Sequence, residues 1–154
     1  MYKKITTIVV LILMVAILIL GFALKDSMNS YVSNMMKSQI SSTAAQSEAV
    51  IVNSLYNFSE NGESFDLTFI EFGAKGCSAC RKMEKVMEEI KTNNPRVKVV
   101  FYNILKTKNQ SMMKYFGISA IPTQVLLDKN GKEYFRHIGY ISFPDLEKQY
   151  ICKN

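Results

Sequence analysis

Positions 69–81, Phe-Ile-Glu-Phe-Gly-Ala-Lys-Gly-Cys-Ser-Ala-Cys-Arg, constrain this chain more than any other stretch. Residues up to Phe72 have the aromatic and aliphatic composition of a strand. Gly-Ala-Lys-Gly then carries the chain to Cys77, and a helical pattern begins at once. Met83, Val86, Met87 and Ile90 recur at the i, i+3, i+4, i+7 spacing of one helix face. Cys77 and Cys80 therefore sit where a strand hands over to the first turn of a helix. Unpaired N–H groups and a partial positive charge at that end favour an anion. A thiol held there ionises more readily, and the thiolate is the nucleophile. Cys80 lies three residues before Met83, on the buried stripe, whereas Cys77 is at the tip. The spacing predicts an exposed attacking thiol with a sheltered resolving thiol one turn behind it.

Two plainer readings of the pair are half of a zinc site and an inert disulfide. A structural zinc site takes four Cys or His ligands. Beyond the pair the chain offers only Cys152 and His137, both distant and outside any spaced motif. The expectation is no metal and no organic cofactor.

The motifs downstream complete a pattern. Ala120-Ile121-Pro122-Thr123 resembles the cis-proline segment of the thioredoxin superfamily, Asn130-Gly131-Lys132 its hairpin turn, and Gly139 the glycine after its last strand. The resemblance covers the chain from about Phe58 onward. It implies a thioredoxin fold, α/β with a mixed central sheet flanked by helices. It also implies a cis bond before Pro122, and substrate-binding positions at Gly76, Ile121 and Pro122. The sequence departs from the family in places. Gly76 stands where Trp is usual, Ser78-Ala79 replaces Gly-Pro, and Lys85 replaces a helix-kinking proline. The lysine that approaches the family's buried acid is missing, with Phe101 or Asn103 in its place.

The apolar residues of the 154-residue chain are unevenly placed. Residues 5–24 hold almost no polar side chain beyond Thr6 and Thr7. About 20 residues suffice to cross a hydrocarbon core of roughly 30 Å as a helix. Lys3 and Lys4 precede the run, so the positive-inside rule puts the N-terminus in the cytoplasm. The competing reading is a cleaved signal peptide, with small residues in Gly21-Phe22-Ala23. The expected organisation is a cytoplasmic tip at 1–4, a single transmembrane anchor at 5–24, a partly helical stalk at 25–48 and a thioredoxin-like domain at 49–154. That makes a single-pass bacterial cell-membrane protein with its domain outside the cytoplasm, where disulfides persist. The net charge of +6 is spread along the chain without a basic block interleaved with aromatics, which argues against nucleic-acid binding.

Within the domain, the resemblance implies that 49–58 is the family's first helix, with Val50, Ile51, Leu55 and Phe58 as its apolar residues. Strands are predicted at 67–72 and 97–103, a short helix at 109–116 stopped by Gly117, and a hairpin of 123–127 and 132–138 across Asn130-Gly131. Ser142 and Asp145 form a capping box for a last helix.

Glu71 is a carboxylate inside an otherwise apolar strand, and a buried Glu is rare without a task or a partner. By resemblance it moves protons to and from Cys80. Cys152 is left over as a loosely held thiol, and His137 faces solvent or packs on the hairpin. The resemblance implies a thiol-disulfide oxidoreductase that reduces protein disulfides through Cys77 and Cys80. Its electrons would come from a membrane thiol-electron transporter. Ile121 before the proline and the lack of room for a helical insertion favour the reductant over a thiol oxidase or isomerase. A binding module without turnover is the third class.

Overall fold

The computed structural model of the chain describes residues 2–151. Cys152 lies outside the described residues. Two helices open the chain, α1 (Tyr2–Ala23) and α2 (Lys25–Ser38). The apolar side chains of α1 are exposed along its length, and residues 4–23 are long and apolar enough to cross a membrane. The domain follows as α3 (Ser42–Tyr56), the single turn α4 (Phe58–Asn61), β1 (Leu67–Gly73), α5 (Ser78–Asn93) and β2 (Val97–Asn103). A 3-10 turn at Thr107–Asn109 leads into α6 (Gln110–Tyr115), then β3 (Thr123–Asp128), β4 (Glu133–Ile138) and α7 (Phe143–Ile151).

The four strands form one mixed sheet in the order β2-β1-β3-β4. β1 runs parallel to β2 and antiparallel to β3, and β4 returns antiparallel beside β3. Side chains of a strand alternate between faces, so β1 divides its residues between two cores. Phe69 joins Met83, Val86, Met87 and Ile90 of α5 and Leu146 of α7 on one face. Ile70 and Phe72 join Val52 and Tyr56 of α3, Met112 of α6 and Phe116 at its C-terminal cap on the other. A strand covered on both faces reads as a continuous apolar run, which is why the one charge in β1 stands out. Ser142 caps α7 as expected, its Oγ accepting from Asp145 N at 3.4 Å, while the Asp145 carboxylate accepts from the Ser142 hydroxyl at 2.6 Å in place of the backbone N–H of a full capping box.

One expectation is corrected. The helix expected at 49–58 begins earlier, at Ser42, where Ser41 caps it by accepting from Ala44 N. Its buried stripe is Glu48, Val52 and Tyr56, while Val50, Ile51 and Leu55 face outward, Val50 being 69% exposed. Phe58 is buried but opens α4 instead. The residues read as a partly helical stalk hold α2 and the first turns of α3. Ser33 of α2 is buried against Gly117, and a groove lined by Asn29, Lys37, Arg136 and His137 separates α2 from β4.

Candidate active site

β1 ends at Gly73, and three residues turn the chain into Cys77. Gly76 holds φ +94, a conformation that suits a residue without a β-carbon. Cys77 N donates to Ala74 O at 3.3 Å, closing the turn. Cys77 is itself the N-cap of α5: its backbone is extended, and its sulfur accepts from Cys80 N at 3.2 Å. A sulfur thus fills the role that Ser, Thr or Asp oxygen usually plays. The same N–H and the partial positive charge of the helix terminus stabilise a thiolate when the protein is reduced. Cys77 and Cys80 are disulfide-bonded, with Cα atoms 5.2 Å apart. Cys77 is half-buried, and Cys80 is only 4% exposed.

Gly73 explains how Cys80 is seated. A β-carbon on Gly73 would lie 3.4 Å from Cys80 Sγ and 2.9 Å from Phe101 Cε2, so strand, cysteine and phenyl ring meet where a side chain is missing. Glu71 precedes Gly73 by two residues and shares its face of β1. It is fully buried, paired in register with Phe101 on β2 and Gln124 on β3. Gln124 Nε2 donates to Glu71 Oε2 at 2.9 Å, and both Oε1 atoms are left without a hydrogen-bond partner among the described residues. Burial pushes the Glu71 carboxyl up from 4.5 to about 8, against the lowering effect of the Gln124 hydrogen bond. Near pH 7 it is therefore largely a neutral acid within reach of deprotonation, the range in which a proton-transfer group works.

The Ile121–Pro122 bond is cis. Phe72 faces Thr123 across β1 and β3, and continuing that register carries the buried Pro122 to the level of Gly73. Thr123 Oγ1 donates to Ala120 O at 2.7 Å and Gly139 N donates to Pro122 O at 2.8 Å, fixing the segment from both sides. Ile121 is half-buried, and the Cβ position of Gly76 has no atom within 4 Å, leaving open backbone beside Cys77. Cys77, Cys80, Glu71 and Pro122 thus converge at one end of the central strands. His137 faces Gln124 in register and places Nε2 3.2 Å from Tyr140 O.

Gln124 was not singled out from the sequence. Its one signal there is a polar side chain directly before the apolar Val125-Leu126-Leu127. Phe101 was noted only as a replacement, whereas it packs beside both Gly73 and the register position of Glu71.

A family model described as a thioredoxin-like domain matches residues 52–150. The thioredoxin of Rickettsia bellii is 36% identical over 85 residues, covering 54% of this chain and 78% of that relative. The thioredoxin-like protein HCF164, chloroplastic, of Oryza sativa subsp. japonica is 32% identical over 88 residues, or 56% of this chain. The chain spans only 32% of that relative's length. Among solved structures, thioredoxin NaTrxh from Nicotiana alata superposes with a TM-score of 0.52 at 27% identity, covering 73% of this chain and 86% of that one.

Proposed function

This chain belongs to the thioredoxin-like domain family, and on that premise we propose that it is a membrane-anchored, extracytoplasmic reductant of protein disulfides. The observation that carries the reading is the sulfur of Cys77 capping α5 with the shielded Cys80 behind it. The Cys77 thiolate attacks one sulfur of a substrate disulfide. A mixed disulfide forms, and the other substrate sulfur leaves as a thiolate and takes up a proton. Glu71, whose carboxyl burial raises to about 8, is ionised in about one molecule in ten near pH 7, and in that form it accepts the proton of Cys80. The Cys80 thiolate then attacks Cys77 Sγ and expels the second substrate thiolate, leaving the Cys77–Cys80 disulfide. Two electrons have passed from the dithiol to the substrate. A further dithiol must return them, and for a domain outside the cytoplasm the donor is a membrane thiol-electron transporter. The backbone at Gly76 and at Ile121-Pro122 receives the substrate chain beside Cys77. Ile121 before the proline supports the reductant over the oxidase, as does the lack of room in the domain for a helical insertion. The exposed apolar α1 supports the anchor, with residues 5–24 in the membrane, 25–48 between membrane and domain, and 49–154 as the domain. The test is insulin reduction by the full chain with dithiothreitol as donor. Turnover that Cys77→Ser abolishes is expected. Turnover no faster than dithiothreitol alone would reject the reading.

A further inference from the structure

The surface around the dithiol is charged in an uneven way. Among the described residues, ion pairs engage Lys91, Arg96, Lys98, Arg136 and Lys148. Lys75, Lys106 and Lys108 are exposed and, among the described residues, have no carboxylate within ion-pair reach. All three line one groove, together with Phe101, Tyr102, Asn103 and Asn109, and no acidic side chain lines it. The groove adjoins the reactive pair. Phe101 is 45% exposed, and its other edge packs at Gly73 beside Cys80. Lys75 lies two residues before Cys77.

The lysines are carried on braced backbone. Ile104 N donates to Gly73 O at 3.0 Å, tying the loop to the strand that leads into the cysteine turn. Asn103 Oδ1 accepts from Leu105 N, and its carbonyl oxygen accepts from Asn109 Nδ2 at 2.8 Å and from Lys106 N at 3.1 Å. Three like charges held together without counter-charges repel one another, and a partner of opposite sign relieves that repulsion. A second groove on the far side of α5 is also cationic, with Arg81, Lys82 and Lys85, but Glu89 lines it too. The charge is therefore least compensated on the Lys75 side.

We propose that the groove floored by Phe101 and rimmed by Lys75, Lys106 and Lys108 docks an acidic polypeptide segment flanking the disulfide to be reduced. The inference rests on the reading of Cys77 and Cys80 as a dithiol that acts on protein disulfides. Aspartate or glutamate side chains of the segment meet the three ammonium groups, and its apolar atoms cover the Phe101 ring. A polypeptide fits better than a lipid surface, because a bilayer lying over this groove would also cover Cys77 and block its substrates.

The test uses the full chain in neutral-detergent micelles and two synthetic peptides closed by the same disulfide. One is flanked by Asp-Glu segments and the other by Ser-Gln segments. Reduction of the acidic peptide is expected to be about tenfold faster at low salt, since three exposed ion pairs each contribute about twofold. The ratio falls toward one near 1 M salt, where the Debye length is about 3 Å. It falls likewise in the triple variant Lys75→Gln, Lys106→Gln, Lys108→Gln. Fluorescence anisotropy of an acidic peptide with Ser in place of both cysteines reads docking without turnover, and the triple variant weakens it by a similar factor. Equal reduction of both peptides by the parent chain overturns the docking surface and leaves the dithiol reading intact. Salt-sensitive binding of the acidic peptide without reduction of either one keeps the docking surface and defeats the dithiol reading. Binding to vesicles of anionic phospholipid in preference to the acidic peptide, lost in the triple variant, assigns the groove to lipid and overturns the proposal.

Discussion

Replacing Glu71 by Gln probes the buried carboxyl through stability and through chemistry at once. Gln keeps the shape and the hydrogen bond to Gln124, and its amide can also donate to Gln124 Oε1, which has no hydrogen-bond partner among the described residues. The carboxyl titrates at 4.5 when solvated and at about 8 when buried. Below pH 4.5 both states carry the proton, and the side chain adds no pH dependence. As pH rises from there to about 8 the unfolded chain has released the proton and the folded one has not, so stability falls. Each unit of that gap is worth about 1.4 kcal/mol, which makes the loss about 3 kcal/mol at pH 7 and about 5 kcal/mol once the folded carboxyl ionises. Glu71→Gln removes the slope. Its stability is expected to match the parent's near pH 4.5 and exceed it by about 3 kcal/mol at pH 7. For a urea m-value of about 1–3 kcal/mol/M, that raises the midpoint by about 1–3 M. The assay is urea unfolding of oxidised full-length protein in neutral micelles, followed by circular dichroism from pH 4.5 to 9. In the reduced protein the attack by Cys77 is expected to be unchanged. Resolution by Cys80 slows by about 10-fold or more, and mixed disulfide accumulates in rapid-quench samples. A midpoint difference that stays constant across this pH range would refute the desolvation argument. Resolution equal to the parent's at every pH would show that the proton leaves Cys80 by another path.

Three further outcomes are expected. In the reduced protein Cys77 alkylates first, with the lower pKa, and Cys80 reacts slowly because it is 4% exposed; equal rates measured by mass spectrometry would overturn the assignment. Gly117→Ala puts a β-carbon 2.5 Å from the Ser33 carbonyl oxygen at a residue with φ +63, so α2 is expected to come away from the domain. Limited proteolysis should then cut near residues 38–42 at least tenfold faster while insulin reduction persists, and an unchanged cleavage rate would show that α2 is not held there. Fractionation with N-terminal sequencing is expected to find the intact N-terminus in the membrane fraction; a soluble chain beginning near Leu24 would reject the anchor.

The site was legible in the sequence to the extent that its determinants are local. A strand, a glycine-containing turn and an amphipathic helix lie consecutively, so the position of Cys77 at a helix N-terminus follows from neighbours in the chain. Glu71 was legible for a related reason: a charge among aromatic and aliphatic strand residues must be buried with them. Gln124 was not, because its importance comes from the β1–β3 register that sets it opposite Glu71 across a separation of 53 residues. The same holds for Phe101, which gains its place beside Cys80 only through the parallel pairing of β1 and β2 and the missing side chain at Gly73. In α3 the apolar pattern misled. Val50, Ile51 and Leu55 form a plausible face, yet Val52 and Tyr56 pack on the sheet and Glu48 is buried with them.

The segment between α1 and the domain shows how composition and packing diverge. Its Ser and Asn residues suggest a spacer, but it holds no Gly or Pro to break a helix. Helical bonding runs through the junction, with Leu24 N donating to Leu20 O and Met28 N to Leu24 O, each at 2.9 Å. Short polar side chains then become an advantage, because they let backbones approach closely. Ser33 meets Gly117, and a β-carbon on that glycine would have no room. The 14 residues of α2 therefore span about 21 Å as a rod at 1.5 Å per residue, where a flexible spacer would leave the distance unset. α2 meets the domain where Ser33 lies against Gly117, so under the proposed anchoring of α1 the places the dithiol can visit depend on that contact and not on the reach of a coil.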